Sequence, residues 1–132
     1  WEHWPHLCRA IAPQAITLGD DFLCTNPERI RRASDAVACN ALLLKVNQIG
    51  TLTEAARAAS LARAAGWKVV VSARSGETED NWLADLAVGW AGDYIKVGSI
   101  CQSERLAKYN RLLEIERSLG AEAAIGQPIE ES

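Results

Sequence analysis

At 132 residues, 48% hydrophobic and 23% charged, the chain has the size and composition of one folded domain with a modest core, not of a disordered segment. Its formal net charge of −3, with both signs interspersed, offers no basic surface for nucleic acid or an anionic membrane. No apolar run approaches the roughly 20 residues of a membrane helix, and Cys8, Cys24, Cys39 and Cys101 form no CxxC pair, which argues against a zinc site and fits a reducing compartment with thiols used as small hydrophobes.

The chain opens on Trp1-Glu2-His3-Trp4-Pro5-His6-Leu7, which reads as the inside of an element, so a piece of a longer protein is expected and any targeting signal would lie outside it. The first short apolar run is Ala15 to Leu18. Thr25 or Asn26 can then cap a helix over Pro27 to Ala38, with Pro27 in the first turn. The second apolar run, Ala41 to Val46, carries Lys45 near its end and leads into Asn47-Gln48-Ile49-Gly50. Thr51-Leu52-Thr53-Glu54 resembles a capping box and opens an alanine-rich helix to Ala65, stopped at Gly66. Val69-Val70-Val71 is the third run, followed by an amphipathic helix over Thr78 to Trp90 with Trp82, Leu83, Leu86 and Trp90 on one face. Tyr94 to Val97 is the fourth, and Ser103 can cap a last helix through Leu119, stopped by Gly120. Residues 121–132 carry no strong pattern and read as a tail.

Strands and helices alternating at a spacing of roughly 25 residues make consecutive βα units, hence an α/β fold with a parallel sheet. Apolar strands without polar alternation agree with burial on both faces. Two architectures satisfy this pattern. One is part of a (β/α)8 barrel, which typically needs about 250 residues; the other is a small doubly wound sheet.

Both architectures gather functional groups at the carboxyl ends of the strands. There the sequence places Asp20 and Asp21, then Lys45, then Arg74-Ser75-Gly76-Glu77-Thr78, and finally Lys96 within the fourth run. Singly, each has a plainer role: acids before a helix, a snorkelling lysine, an arginine paired with Glu77 or Glu79, a serine opening a helix. Jointly they suit an anionic substrate. Carboxylate oxygen suits Mg2+, arginine and a serine at a helix start suit phosphate, and a lysine held among other cations can act as a base. His3 and His6 both precede the first strand, so no Ser-His-Asp or Cys-His arrangement is implied, and neither a Walker A nor a GxGxxG motif occurs.

The segments Gly19-Asp20-Asp21-Phe22 with Thr25-Asn26-Pro27, Leu42 to Gly50, Arg74 to Asp80, and Ser103-Glu104-Arg105-Leu106-Ala107-Lys108-Tyr109-Asn110 resemble signatures of the enolase family (phosphopyruvate hydratase). The resemblance runs from about Leu7 to Gly120. It implies that residues 1–120 form the C-terminal half of an enolase-type (β/α)8 barrel, without the family's N-terminal capping domain and first barrel strands.

It also implies roles. Asp20 falls where enolases place a Mg2+-binding aspartate that borders the substrate. Lys45 matches the lysine that removes the proton beside the substrate carboxylate. Arg74 and Ser75 match phosphate-holding residues, and Lys96 matches a second active-site lysine that contacts the substrate. The enolase superfamily is itself the standard illustration of a Lys or His base working with one or two Mg2+ ions. The implied protein is a cytoplasmic glycolytic lyase that converts 2-phosphoglycerate to phosphoenolpyruvate, a homodimer or larger, inactive as this portion alone. Surface display, known for some enolases, is compatible with it.

Two departures stand out. Ala73 occupies the place of an active-site histidine, and Val97 follows Lys96 where enolases usually carry threonine. Ala73 leaves room for an alternative, an enolase-like enzyme acting on a different phosphorylated or phosphonate substrate. A non-catalytic binding protein is a further alternative, disfavoured by the retention of Lys45 and Lys96.

Overall fold

A computed structural model describes residues 1–12 and 14–124 of the chain. The opening segment is a helix, α1 (Trp4–Ile11), with Pro5 in its first turn. It is anchored by aromatic contacts: Trp4 stacks on Phe22 at a centroid distance of 4.6 Å, and Trp1 lies 4.2 Å from the same ring.

Four strands follow in alternation with helices. β1 (Leu18–Gly19), β2 (Ala41–Leu44), β3 (Lys68–Ser72) and β4 (Tyr94–Lys96) form one parallel sheet in the order β1-β2-β3-β4. That order has no reversal, and a reversal is what defines a doubly wound sheet. The winding is therefore that of consecutive barrel units.

The residues explain both the elements and their ends. β1 is shorter than the apolar run suggests, because the Thr17 amide is taken by the Asn40 side chain at 2.6 Å and leaves Ala15 and Ile16 outside the ladder. α2 (Pro27–Asp35) is capped by Asn26, whose side chain accepts from the amides of Glu28 and Arg29. It ends before Ala38 because Val37 turns to a φ of +53°, and the Ala38 amide then closes back on the Ala33 carbonyl at 2.8 Å. β2 stops at Leu44, and Val46 already belongs to the one-turn helix α3 (Val46–Ile49), so the strand ends two residues before the sequence reading has it. α4 (Leu52–Ala64) is capped by Thr51 as expected, and Gly66 follows at a φ of +75°.

α5 (Trp82–Gly89) starts four residues later than its amphipathic pattern suggests. The Thr78 hydroxyl accepts from the Asp80 amide at 3.3 Å, and this local turn competes with helix. Its inner face is Leu83, Ala84 and Ala87; of the expected apolar face Leu83 is in the core and Trp90 packs against it, whereas Trp82 is 46% exposed. α6 (Ser103–Leu119) has the expected span, but Gln102 is its cap residue and no side chain caps it. A short 3-10 turn, Gly120–Glu122, follows.

The core lies on one side of the sheet. Leu42 and Leu44 of β2 and Val69 and Val71 of β3, paired in register, pack against Ile30 and Ala33 of α2, four alanines of α4 (Ala55, Ala58, Ala59 and Ala62), and Leu83 and Ala87 of α5. The alternate residues Leu43 and Val70 are buried but stand outside that cluster, on the opposite face. Helices stacked on one face only, over the strands β2 and β3 that are buried on both, are what a barrel wall requires. The alanines of α4 let that helix approach the sheet closely, and all of its buried residues are alanine.

Candidate active site at the strand ends

Because all four strands are parallel, their carboxyl ends share one rim. Asp20 follows β1, Lys45 follows β2, Ala73 to Ser75 follow β3, and Lys96 closes β4. A cleft of about 440 Å³ opens there, and Lys45, Arg74, Ser75 and Lys96 all line it, together with Asp21 and Ala73. The residues picked out from sequence as substrate contacts thus come together in space. Asp20 stands beside them rather than on the cleft wall, joined to Lys45 by an ion pair of 2.5 Å between Nζ and Oδ1.

The local sequence builds each position. The β1–α2 connection is a tight turn in which the Asp20 carbonyl accepts from the amides of Leu23 and Cys24, each at 2.9 Å. Cys24 and Thr25 then adopt φ values of +50° and +52°. Turned in this way, Thr25 is fully buried, and its hydroxyl accepts the Lys45 amide at 2.9 Å while donating to Gln48 Oε1 at 3.0 Å. Gln48 in turn donates to Asp21 Oδ1 at 3.1 Å. This chain of contacts ends the β2 ladder and ties the backbone of Lys45 to the aspartate turn. Lys45 itself is buried, at 8% exposure. Lys96, by contrast, is exposed at the edge strand.

The β3 loop is held from α6. Arg105 donates to the carbonyls of Arg74 at 2.7 Å, Val97 at 3.0 Å and Ser75 at 3.1 Å. Lys108 is fully buried, pairs with Glu77 at 3.0 Å, and donates to the carbonyls of Thr78 and Glu104. Glu77 Oε1 accepts the Arg74 amide at 2.8 Å. The Arg74 guanidinium does not pair with Glu77 or Glu79; it reaches Asn47 Oδ1 at 3.3 Å. Burial pushes the Glu77 carboxyl up, but the Arg74 amide, the Lys108 ammonium and the Arg105 charge together hold it below the ordinary glutamate range.

Sequence reasoning offered Thr25 only as a candidate helix cap, a place Asn26 takes, and assigned no role to Arg105 or Lys108. The i, i+3 spacing of Arg105 and Lys108 puts them on one helix face, but only the packing of α6 shows that this face meets the β3 loop. The four cysteines are free, and burial pushes the Cys39 thiol up to about 12, with Cys8 adding to the shift. Neutral buried thiols of this kind behave as small hydrophobes.

Asp20 offers the hard oxygen donor that Mg2+ takes. One carboxylate is not a binding site, and among the described residues no group of three or more His, Cys, Asp or Glu side chains is placed to hold a metal. The donor type fits; the donor number on these residues does not.

The family profile described as "Enolase, C-terminal TIM barrel domain" matches residues 1–129. The chain belongs to the enolase family. It is 56% identical over 123 residues to "Enolase 2" of Hevea brasiliensis and 54% identical over the same length to "Enolase" of Solanum lycopersicum. Each match covers 93% of this chain and 28% of the relative, so the chain spans little more than a quarter of the length of these enolases. The part matched is the enolase barrel, in keeping with the parallel βα units and the one-sided helix layer. Among the described residues, no helix is long and apolar enough to cross a membrane.

Proposed function

We propose that this chain contributes the base and phosphate side of an enolase-type site, catalysing the reversible dehydration of 2-phosphoglycerate to phosphoenolpyruvate. The observation that carries the reading is that Lys45, Arg74, Ser75 and Lys96 line one cleft at the carboxyl ends of the strands. In this reading residues 1–120 are the C-terminal half of the barrel and residues 121–132 a tail.

The roles follow from position. Arg74 and Ser75 receive the phosphate, an arginine fork and a hydroxyl being suited to phosphate oxygens. Lys96, exposed across the cleft, meets the substrate's remaining negative charge. The Lys45 Nζ takes the proton beside the carboxylate, which requires it to be released from Asp20 and uncharged at that moment. Bound through Asp20 and donors beyond those described, Mg2+ would offset the charge that gathers on the carboxylate as that proton leaves. The general acid for the departing hydroxyl is not among these residues. The same reading makes the protein a cytoplasmic glycolytic enzyme acting as a homodimer or larger assembly.

A second reading rests on Ala73. It lines the cleft with a methyl group that can neither donate nor accept a hydrogen bond, where enolases carry a histidine. An enolase-like enzyme acting on another phosphorylated or phosphonate substrate accounts for that loss. Turnover of 2-phosphoglycerate with Mg2+, by the protein expressed from its full reading frame, separates the two. About 10 turnovers per second or more, within the ordinary enzyme range, supports the first reading. Background turnover with phosphonate or phosphate ligands still bound supports the second.

A further inference from the structure

Lys108 is the most demanding residue in the described structure, since a lysine with no exposed surface is almost never found unless fully paired. Its three donors meet three acceptors: Glu77 Oε2 at 3.0 Å, the Thr78 carbonyl at 2.5 Å and the Glu104 carbonyl at 2.8 Å. Complete pairing offsets the cost of burying the charge. Nothing in the proposed chemistry uses this ammonium.

What the pairing accomplishes is visible in the loop it holds. Glu77, fixed by Lys108, accepts the Arg74 amide; Arg105, one helical turn before Lys108, takes the carbonyls of both Arg74 and Ser75. In a trans peptide the carbonyl of one residue and the amide of the next point in opposite directions. With both carbonyls turned towards Arg105, the amides of Ser75 and Gly76 face away from it. The backbone is thereby fixed from the α6 side, while the Arg74 guanidinium and the Ser75 hydroxyl take no part in the brace. A third Arg105 contact, to the Val97 carbonyl, ties the loop to the end of β4 beside Lys96.

We propose that Arg105 and Lys108 are positioning residues that preorganise the Arg74–Ser75 loop for phosphate. They act through its backbone: Arg105 also borders the cleft, but its guanidinium is committed to the carbonyls of Arg74, Val97 and Ser75. The inference rests on the phosphate-site reading given above. Arranged in advance, the loop binds without the ordering cost that a free loop would meet on each encounter.

Lys108→Met removes a fully buried, fully paired ammonium, strands the half-buried Glu77 carboxylate and threatens folding, so the decisive variants are at Arg105, which is only half-buried. The probe is inorganic phosphate, titrated by 31P NMR against the protein expressed from its full reading frame, with folding checked by circular dichroism. Arg74→Ala serves as the reference. Arg105→Ala is expected to weaken phosphate binding on the order of tenfold, the scale on which outer supports of a bound group act. Arg105→Lys keeps the charge but loses the fork that spans two carbonyls, and it is expected to be equally weak. Rescue by lysine would mean that charge alone matters and would overturn the proposal. Unchanged affinity in Arg105→Ala alongside lost affinity in Arg74→Ala overturns the brace and leaves the phosphate site standing. No binding by the unaltered protein, or no effect of Arg74→Ala, overturns the site reading and the brace together.

Discussion

Lys45 Nζ lies 2.5 Å from Asp20 Oδ1, so the side chain proposed to take a proton and the one proposed to hold Mg2+ satisfy each other across the tips of two adjacent strands. A cation at Asp20 competes with that pair for the same carboxylate. Asp20→Asn removes both the charge for the metal and the counter-ion of Lys45. The Asp20 side chain is 39% exposed but the Lys45 side chain only 10%, so removing the counter-ion is expected to cost more than an exposed pair would, on the order of 1–3 kcal/mol. The Mg2+ titration of the protein, followed by calorimetry, should shift markedly, and the melting temperature should fall with it. An unchanged titration would remove Asp20 from the metal site.

Gly19, the residue before Asp20, is where the turn packs most tightly. A Cβ there would overlap Leu23 Cδ1 and sit 3.1 Å from Cys39 Sγ. Leu23 is fully buried and has nowhere to swing. Gly19→Ala is therefore expected to destabilise the fold by about 1–3 kcal/mol, the range for an overpacked core. Urea denaturation measures it directly, and an unchanged midpoint would contradict the packing described for this turn.

The Glu77 carboxyl is held below its ordinary value of 4.5 by the Arg74 amide and the charges of Lys108 and Arg105, against the opposing pull of burial. A carboxyl depressed in the folded state binds its proton more readily when unfolded, so its contribution is present above the ordinary glutamate range and disappears as pH falls through the folded value. The protein should lose stability steadily as pH drops below 4.5. Glu77→Gln should flatten that slope between about pH 3 and pH 5, even though its overall stability is lower. Parallel slopes for the two proteins would exclude Glu77 as a source of the acid sensitivity.

Ala73 decides between the two substrate readings from inside the cleft. If 2-phosphoglycerate is the substrate, Ala73→His should raise kcat/KM for it by about 10²-fold or more, the usual worth of a positioned acid–base or hydrogen-bonding side chain. A fall in kcat/KM would favour a site adapted to a different ligand.

Much of this was legible in the chain itself. Asp20, Lys45, Arg74, Ser75 and Lys96 sit at the ends of apolar runs with repeating spacing, and parallel strands must bring such ends to one rim. The strand limits were less legible, because side chains ended them: Asn40 took the amide of Thr17, and Thr25 took that of Lys45. Thr78 shortened α5 in the same way by favouring a local turn. The α6 brace could not be read, since Arg105 and Lys108 lie about 30 residues from the loop they hold and look like any charged helix face until it is packed.

The central claim is that Lys45 removes the α-proton, and exchange of that proton with solvent tests it most directly. With 2-phosphoglycerate and Mg2+ in D2O, the protein expressed from its full reading frame should exchange the α-proton, followed by proton NMR. Lys45→Ala should slow that exchange by about 10²-fold or more while still binding the substrate. Undiminished exchange in Lys45→Ala would show that another group is the base.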